Sequence, residues 1–269
     1  MGTTAKNLGR RLIAHHRRSR GVQALHQLAS FVESAYRNDG TSCDENGERN
    51  VLTKLRAANF HTAFDVGANY GEWLIASLAA WPQCQVHAFE PAPLTFQRLQ
   101  GCLANSGHRE RAILNCVGLS DATGEQTMFY FPEYPDLTCD LPRYGARPCV
   151  PFQARTATAD DYAESHSIAT VDFLKIDVEG AEHRVLKGFS KHLAARRVHC
   201  LQFEYGAFST QTKFLLGDYY ALLSADYWIG KIYPTYVDFR EYDWTMEDFR
   251  FANYCCVSKL RSDLRDLLA

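Results

Sequence analysis

From residue 62 onward, short apolar runs alternate with stretches whose apolar residues recur every three or four positions. The runs fall at 62–66, 85–90, 112–119, 171–178 and 198–205, with helical periodicity over 71–81, 92–106 and 181–196. Strands without polar alternation are buried on both faces, and strands separated by helices run parallel. Right-handed crossovers then predict an open, doubly wound α/β sheet with its ligands at the carboxyl ends of the strands. Two segments depart from this alternation. Residues 126–131 read as an extra strand, followed by five of the nine prolines (Pro132, Pro135, Pro142, Pro148, Pro151) within twenty residues. Such a stretch predicts a long irregular loop, either a surface excursion or a lid. Residues 227–233 and 251–259 read as late strands joined by an aromatic-rich connection.

The first forty residues follow another pattern. Leu8, Leu12 and Ile13, then Val22, Leu25, Leu28, Ala29 and Val32, recur at helical spacing, with a break or bend expected at Gly21. Asn38-Asp39-Gly40 supplies a turn, and a further helix is expected over 48–59, with Val51, Leu52 and Leu55 on one face. Charge separates the two regions. Residues 1–32 hold six Lys/Arg and no acid, whereas the rest sets 23 basic against 31 acidic residues, a net charge near −8 within a chain of −2. A basic helical arm over 1–40 and an acidic domain over 41–269 follow, and the overall charge excludes a nucleic-acid coat. The acid-free arm resembles an organelle transit peptide in composition, with a basic surface helix as the alternative. Lys6 breaks the myristoylation pattern. Nine scattered cysteines without a Cys-x-x-Cys pair fit a reduced, cytoplasmic protein, and no apolar stretch is long enough to span a membrane.

Chemistry concentrates at the predicted strand ends. Asp65-Val66-Gly67-Ala68-Asn69-Tyr70-Gly71 joins the first strand to a helix, where glycines let the backbone approach a ligand. The spacing departs from the Gly-x-Gly-x-x-Gly of dinucleotide sites. Asp65 would favour a ligand's ammonium group and repel a diphosphate, which moves the reading from NAD toward S-adenosylmethionine. Glu90, before Pro91 at the second strand end, is placed to accept two ribose hydroxyls, or else to cap the next helix. Leu119-Ser120-Asp121 lies where an adenine edge would be, although turn formation also accounts for it. Asp177 and Glu179 emerge on one side of the fourth strand, an unfavourable pairing unless a cation or proton lies between them. His183 sits one turn into the following helix, near the same edge or simply solvated.

These segments resemble the FkbM family of S-adenosylmethionine-dependent methyltransferases. The likeness rests on Phe64-Asp65-Val66-Gly67-Ala68-Asn69-x-Gly71, Phe89-Glu90-Pro91, Leu119-Ser120-Asp121-x-x-Gly124, and above all Lys175-Ile176-Asp177-Val178-Glu179-Gly180-Ala181-Glu182 with Val185-Leu186-x-Gly188. It spans roughly 44–258 and leaves out the arm. It implies a class I methyltransferase fold, a Rossmann-like doubly wound sheet of seven strands with the last antiparallel. It further implies that Asp65, Gly67, Asn69, Tyr70 and Gly71 surround the methionine part of the cofactor, that Glu90 and Pro91 meet the ribose, and that Leu119, Ser120 and Asp121 flank the adenine. Asp177 is expected at the cofactor as well. The family mostly methylates oxygen on sugars, glycolipids and polyketide-like products. Asp177, Glu179 and His183 are the base candidates, in that order. No spacing demands a metal and none is assigned, although oxygens of Asp177, Glu179 and Glu204 would suit Mg²⁺. Residues 203–254 hold sixteen of the 34 aromatics, which suit a carbohydrate or small-molecule acceptor and equally serve core and homodimer contacts. Two other functions compete: an NAD-dependent oxidoreductase, from the glycine turn and Glu90, and a non-catalytic module binding nucleic acid or an anionic membrane through the arm.

Overall fold

The computed structural model describes residues 3–140 and 148–269. The chain divides into two compact units, Met1–Gly40 and Thr41–Ala269. In the first, α1 (Thr3–His15) and α2 (Arg20–Arg37) are separated at 16–19 and not at Gly21. Ser19 sets the break. Its backbone is extended, and its hydroxyl accepts the Val22 N–H, the usual N-cap bond. Gly21 therefore falls in the first turn of α2, where backbone N–H groups need no helical partner. Asn38 ends α2 in the left-handed conformation, and α2 buries none of its residues.

The second unit begins with α3 (Glu48–Lys54) and a 3-10 turn, then β1 (Thr62–Val66), α4 (Glu72–Ala80), β2 (Gln85–Phe89), α5 (Pro93–Ala104) and β3 (Ala112–Asn115). There follow β4 (Gly118–Leu119), β5 (Gly124–Tyr130), β6 (Val150–Ala157), α6 (Ala159–Ser165), β7 (Val171–Ile176), α7 (Glu182–Gly188) and α8 (Ser190–Ala194). The chain closes with β8 (Val198–Tyr205), α9 (Ser209–Thr212), α10 (Leu216–Leu223), β9 (Tyr227–Ile232), β10 (Val237–Phe239), β11 (Ala252–Ser258) and α11 (Ser262–Leu268). The main sheet has the order β10-β9-β11-β8-β7-β1-β2-β3. Its β3-β2-β1-β7-β8-β11-β9 portion is the expected seven-stranded class I methyltransferase sheet, with β11 antiparallel to both neighbours. The short β10 adds an eighth, antiparallel edge strand.

Apolar side chains cover both faces of this sheet. Phe64, Phe89, Ile176, Phe203 and Tyr219 belong to one buried cluster. Phe60, Trp73, Trp81 and Phe173 belong to the other.

Three segments depart from the sequence expectations. The run at 112–119 splits at Cys116-Val117, so that β3 ends the main sheet and β4 joins a separate sheet of order β4-β6-β5. The helical stretch at 181–196 breaks at Phe189. The Pro-rich stretch is partly ordered as β6, which pairs antiparallel with β5 from Gly124↔Thr156 to Tyr130↔Val150. Pro151 is tolerated because β4 reaches only Thr156 and Ala157, leaving β6 a single neighbour at the proline. Before it, residues 135–137 form a 3-10 turn and Cys139 pairs with Phe129. Pro142 lies outside the described residues. Among the described residues, no helix is long and apolar enough to cross a membrane.

Candidate active site

The carboxyl ends of β1, β2, β7 and β8 open into a cavity of about 480 Å³, a size ordinary for small-molecule sites. The glycine turn forms one wall. Gly67, Asn69 and Gly71 all have positive φ (83°, 45° and 88°), which the sequence meets with two glycines and an asparagine. Gly67 is the most constrained, since a Cβ there would lie 1.7 Å from the Asp177 carbonyl oxygen. The N–H groups of Gly67 and Ala68 both donate to the Phe89 carbonyl, tying the turn to β2. Asn69 lines the cavity, and its buried Oδ1 has no hydrogen-bond partner. Tyr70 borders an adjoining recess with Asn69, Lys175 and Asp177, its hydroxyl accepting a 2.7 Å bond from Arg98. Gly71 caps α4 without reaching the cavity.

Glu90 is not the exposed strand tip that its position suggests. It is 5% exposed, because its two oxygens accept the N–H groups of Asn69 (3.1 Å) and Ala92 (2.9 Å). Burial pushes its carboxyl up to about 7 despite those two bonds. It still lines the cavity beside Pro91, and each oxygen keeps a lone pair for a further donor.

The acids at the ends of β1 and β7 are organised by a residue that the sequence motif includes without a role, Lys175. Lys175 is 6% exposed, and its ammonium lies 2.9 Å from Asp177 Oδ2 and 3.7 Å from Asp65 Oδ1. Burial opposes its charge, but Asp177 and Asp65 overcome this and hold its proton more tightly than usual. Asp65 is fully buried, and burial raises its carboxyl to about 6. Its cationic neighbour is thus the chain's own Lys175, which corrects the expectation that Asp65 meets a ligand's ammonium directly. A charged residue inside an otherwise apolar strand was the available signal for Lys175, since burial of such a group demands an opposite charge.

Asp177 and Glu179 do converge. Each lines the cavity, and one oxygen of each lies within 4.8 Å of the other and of a Glu204 oxygen. Glu179 has φ 59° and Gly180 φ 112°, a turn closed by Glu182, whose Oε1 accepts the N–H groups of Val178 and Gly180. Glu204 on β8 is 6% exposed, and burial, then Asp177, raises its carboxyl well above the usual range. Glu48 completes the acidic lining, accepting a 2.8 Å bond from Asn46.

Two candidates fall elsewhere. His183 stacks on Phe214 at 4.8 Å, half-buried, with burial lowering its basicity. It lines no part of the cavity, because α7 turns that face toward the aromatic packing. Asp121 is held by Arg184 at 3.0 Å and by the Ser120 hydroxyl at 3.2 Å, which leaves Leu119 and Ser120 to line a narrow slot next to Gly67 and Pro91. The rim is apolar, formed by Met128, Leu137, Phe208, Phe249 and Phe251. Pro135–Leu137 thus contributes to the cavity wall. Of the other aromatics in the 203–254 stretch, Tyr205, Tyr219, Tyr220 and Tyr254 are buried.

The FkbM methyltransferase domain matches residues 65–229. The 31-O-demethyl-FK506 methyltransferase FkbM of Streptomyces tacrolimicus is 28% identical over 156 residues, 46% of this chain and 58% of that protein. The hexuronic acid methyltransferase AglP of Haloferax volcanii is 31% identical over 154 residues, 56% of this chain and 59% of that protein. The chain therefore spans less than two thirds of the length of these relatives. Among solved structures, the O-methyltransferase TomG of Streptomyces achromogenes in complex with SAM is similar over 78% of both chains, at 11% identity and a TM-score of 0.44. With the domain match covering more than half of its length, this chain belongs to the FkbM family of S-adenosylmethionine-dependent methyltransferases.

Proposed function

We propose that this chain methylates a hydroxyl oxygen of a sugar-containing or natural-product acceptor. One observation carries the reading. Five carboxylates (Glu48, Glu90, Asp177, Glu179, Glu204) line the cavity, and among the described lining residues there is no Lys or Arg. Such a wall favours a cationic donor and provides proton acceptors for an alcohol. S-adenosylmethionine fits this donor set: Glu90 retains acceptor capacity for ribose hydroxyls, the orphaned Asn69 Oδ1 can accept from an ammonium, and Leu119 and Ser120 border a slot for a flat base. When bound, the cofactor supplies an electrophilic methyl carbon on a positively charged sulfur.

The remaining work falls to the chain. Asp177 and Glu179 would hold the acceptor hydroxyl, and one of them would take up its proton during transfer. Met128, Leu137, Phe249 and Phe251 keep water from the reacting oxygen. Lys175 orients Asp177 through their 2.9 Å bond. Most of the rate gain comes from alignment of oxygen, methyl and sulfur. The relatives named for hexuronic acid and FK506 methylation support an oxygen acceptor, and the family match decides against the oxidoreductase.

Calorimetry with S-adenosylhomocysteine and NAD tests the donor site, with binding of the first alone expected. With an acceptor in hand, Asp177→Asn should lower kcat about 10²–10⁴-fold if Asp177 is the base. If Glu179 is the base, the loss moves to Glu179→Gln. Full turnover in both variants would remove these acids from the chemistry.

A further inference from the structure

We propose that Asp177, Glu179 and Glu204 form a binding site for a hard divalent cation of the Mg²⁺ class. This deepens, and rests on, the reading of the cavity as a methyl-transfer site.

Geometry is the first support. The three residues come from two neighbouring strand ends, β7 and β8, and one oxygen of each lies within 4.8 Å of the other two. Oxygens around a cation bonded at the distances of Mg²⁺ or Ca²⁺ are separated by about 3–5 Å. All-oxygen carboxylate donors select such ions over softer metals.

Glu204 is the second, independent support. Its carboxylate is nine-tenths buried and lines the cavity, yet among the described residues it makes no hydrogen bond or ion pair. A buried carboxylate in that state is costly unless a cation or proton meets it. The Lys175 charge acts on Glu204 only from a distance, because its ammonium is engaged by Asp177 at 2.9 Å and Asp65 at 3.7 Å. The other acid on this side, Glu48, is accounted for by Asn46 and Gln202. The donor's single ammonium would leave a three-carboxylate cluster underneutralised, whereas a divalent ion would offset two of its three charges and retain open positions for water and the acceptor hydroxyl. The ion would thus hold the acceptor oxygen at a fixed depth beside the cofactor.

Mn²⁺ is a paramagnetic probe for such a site. The full chain, its Glu204→Gln variant and its Glu179→Gln variant would be titrated with Mn²⁺ and followed by electron paramagnetic resonance, with and without S-adenosylhomocysteine. Glu204→Gln removes a buried charge with little change of shape, and Glu179→Gln alters a more accessible position, so both should fold. Expected are saturable Mn²⁺ binding by the parent chain and at least about tenfold weaker binding by each variant, as ligand charge sets affinity. Mg²⁺ should displace the probe. Calorimetric S-adenosylhomocysteine binding by all three proteins reports separately on the donor site. If Mn²⁺ binds and the variants lose it while S-adenosylhomocysteine fails to bind, the cation site stands and the methyltransferase reading falls. Absence of saturable binding by the parent, equal binding by the variants, or displacement of Mn²⁺ by S-adenosylhomocysteine would each overturn the proposal.

Discussion

The structural bonds of Glu90 and its proposed ribose contact can be separated by substitution. Its oxygens satisfy the N–H groups of Asn69 and Ala92 in a buried setting, so Glu90→Ala should cost about 1–3 kcal/mol of stability as well as cofactor affinity. Glu90→Gln keeps one acceptor and should lose less stability for a comparable loss of S-adenosylhomocysteine binding. Urea denaturation and calorimetry read the two effects, and a change in stability alone would leave Glu90 a purely structural residue. Glu182 gives a pH prediction. Burial raises its carboxyl from 4.5 to about 7 in the folded chain, with Asp177, Glu204 and Tyr219 as its ionisable surroundings. The folded state therefore binds the proton more tightly than the unfolded one. That contribution to stability is complete below the unfolded pKa and is lost as pH rises through about 7. Glu182→Gln preserves the Oε1 acceptor for Val178 and Gly180 while removing the charge at Oε2, which has no partner. Thermal unfolding across about pH 5 to 8 should decline less steeply in the variant, with a gain of about 1–3 kcal/mol at the upper end. A parent and variant with parallel profiles would contradict this.

At the level of elements, the sequence is most informative where burial is two-sided. β1 and β8 coincide with the runs at 62–66 and 198–205, both of them strands buried on the two faces of the sheet. β6 was hidden, since Pro148 and Pro151 suppress a strand signal that one-sided pairing overrides. The split of 112–119 was hidden for the opposite reason: apolar character continues across Cys116-Val117 while the backbone changes sheets. The acid pair Asp177 and Glu179 was legible as lying at one strand end, but both follow β7, and the turn at Glu179 and Gly180, not strand alternation, sets their placement. Lys175 and Glu204 acquire their meaning only from neighbouring strands, through the Asp65↔Lys175 register and the adjacency of β7 and β8. The arm was legible as a basic unit, but the end of its first helix was set by Ser19 capping and not by glycine. Since Met1–Gly40 forms its own compact unit, we expect a chain lacking it to bind S-adenosylhomocysteine within about twofold of the parent. It should also lose salt-sensitive adsorption to vesicles of anionic lipid, which basic amphipathic helices support. Sedimentation at low and high salt checks the second effect, and loss of cofactor binding in a folded truncated chain would refute the division of labour.

Across the whole molecule, the proposed donor wall of the cavity comes from the ends of β1 and β2, while Phe249 and Phe251 come from beyond the 65–229 match. Phe249→Ala and Phe251→Ala should therefore raise the acceptor KM by about tenfold through lost apolar contact, with S-adenosylhomocysteine affinity preserved. Steady-state kinetics on a working acceptor, beside calorimetry, would expose the opposite pattern if these rings served the cofactor. The contact between Gly67 and the Asp177 carbonyl limits how such an enzyme could diversify. Because a Cβ at Gly67 would fall 1.7 Å from the Asp177 carbonyl oxygen, the spacing of the two strand ends belongs to the sheet and acts as a fixed gauge. Under the proposed function, acceptors would be sorted by whether a hydroxyl reaches one set depth, much as a key blank is sorted by the length of its shaft. New specificities would arise by recutting the entrance while the depth stop stays where it is.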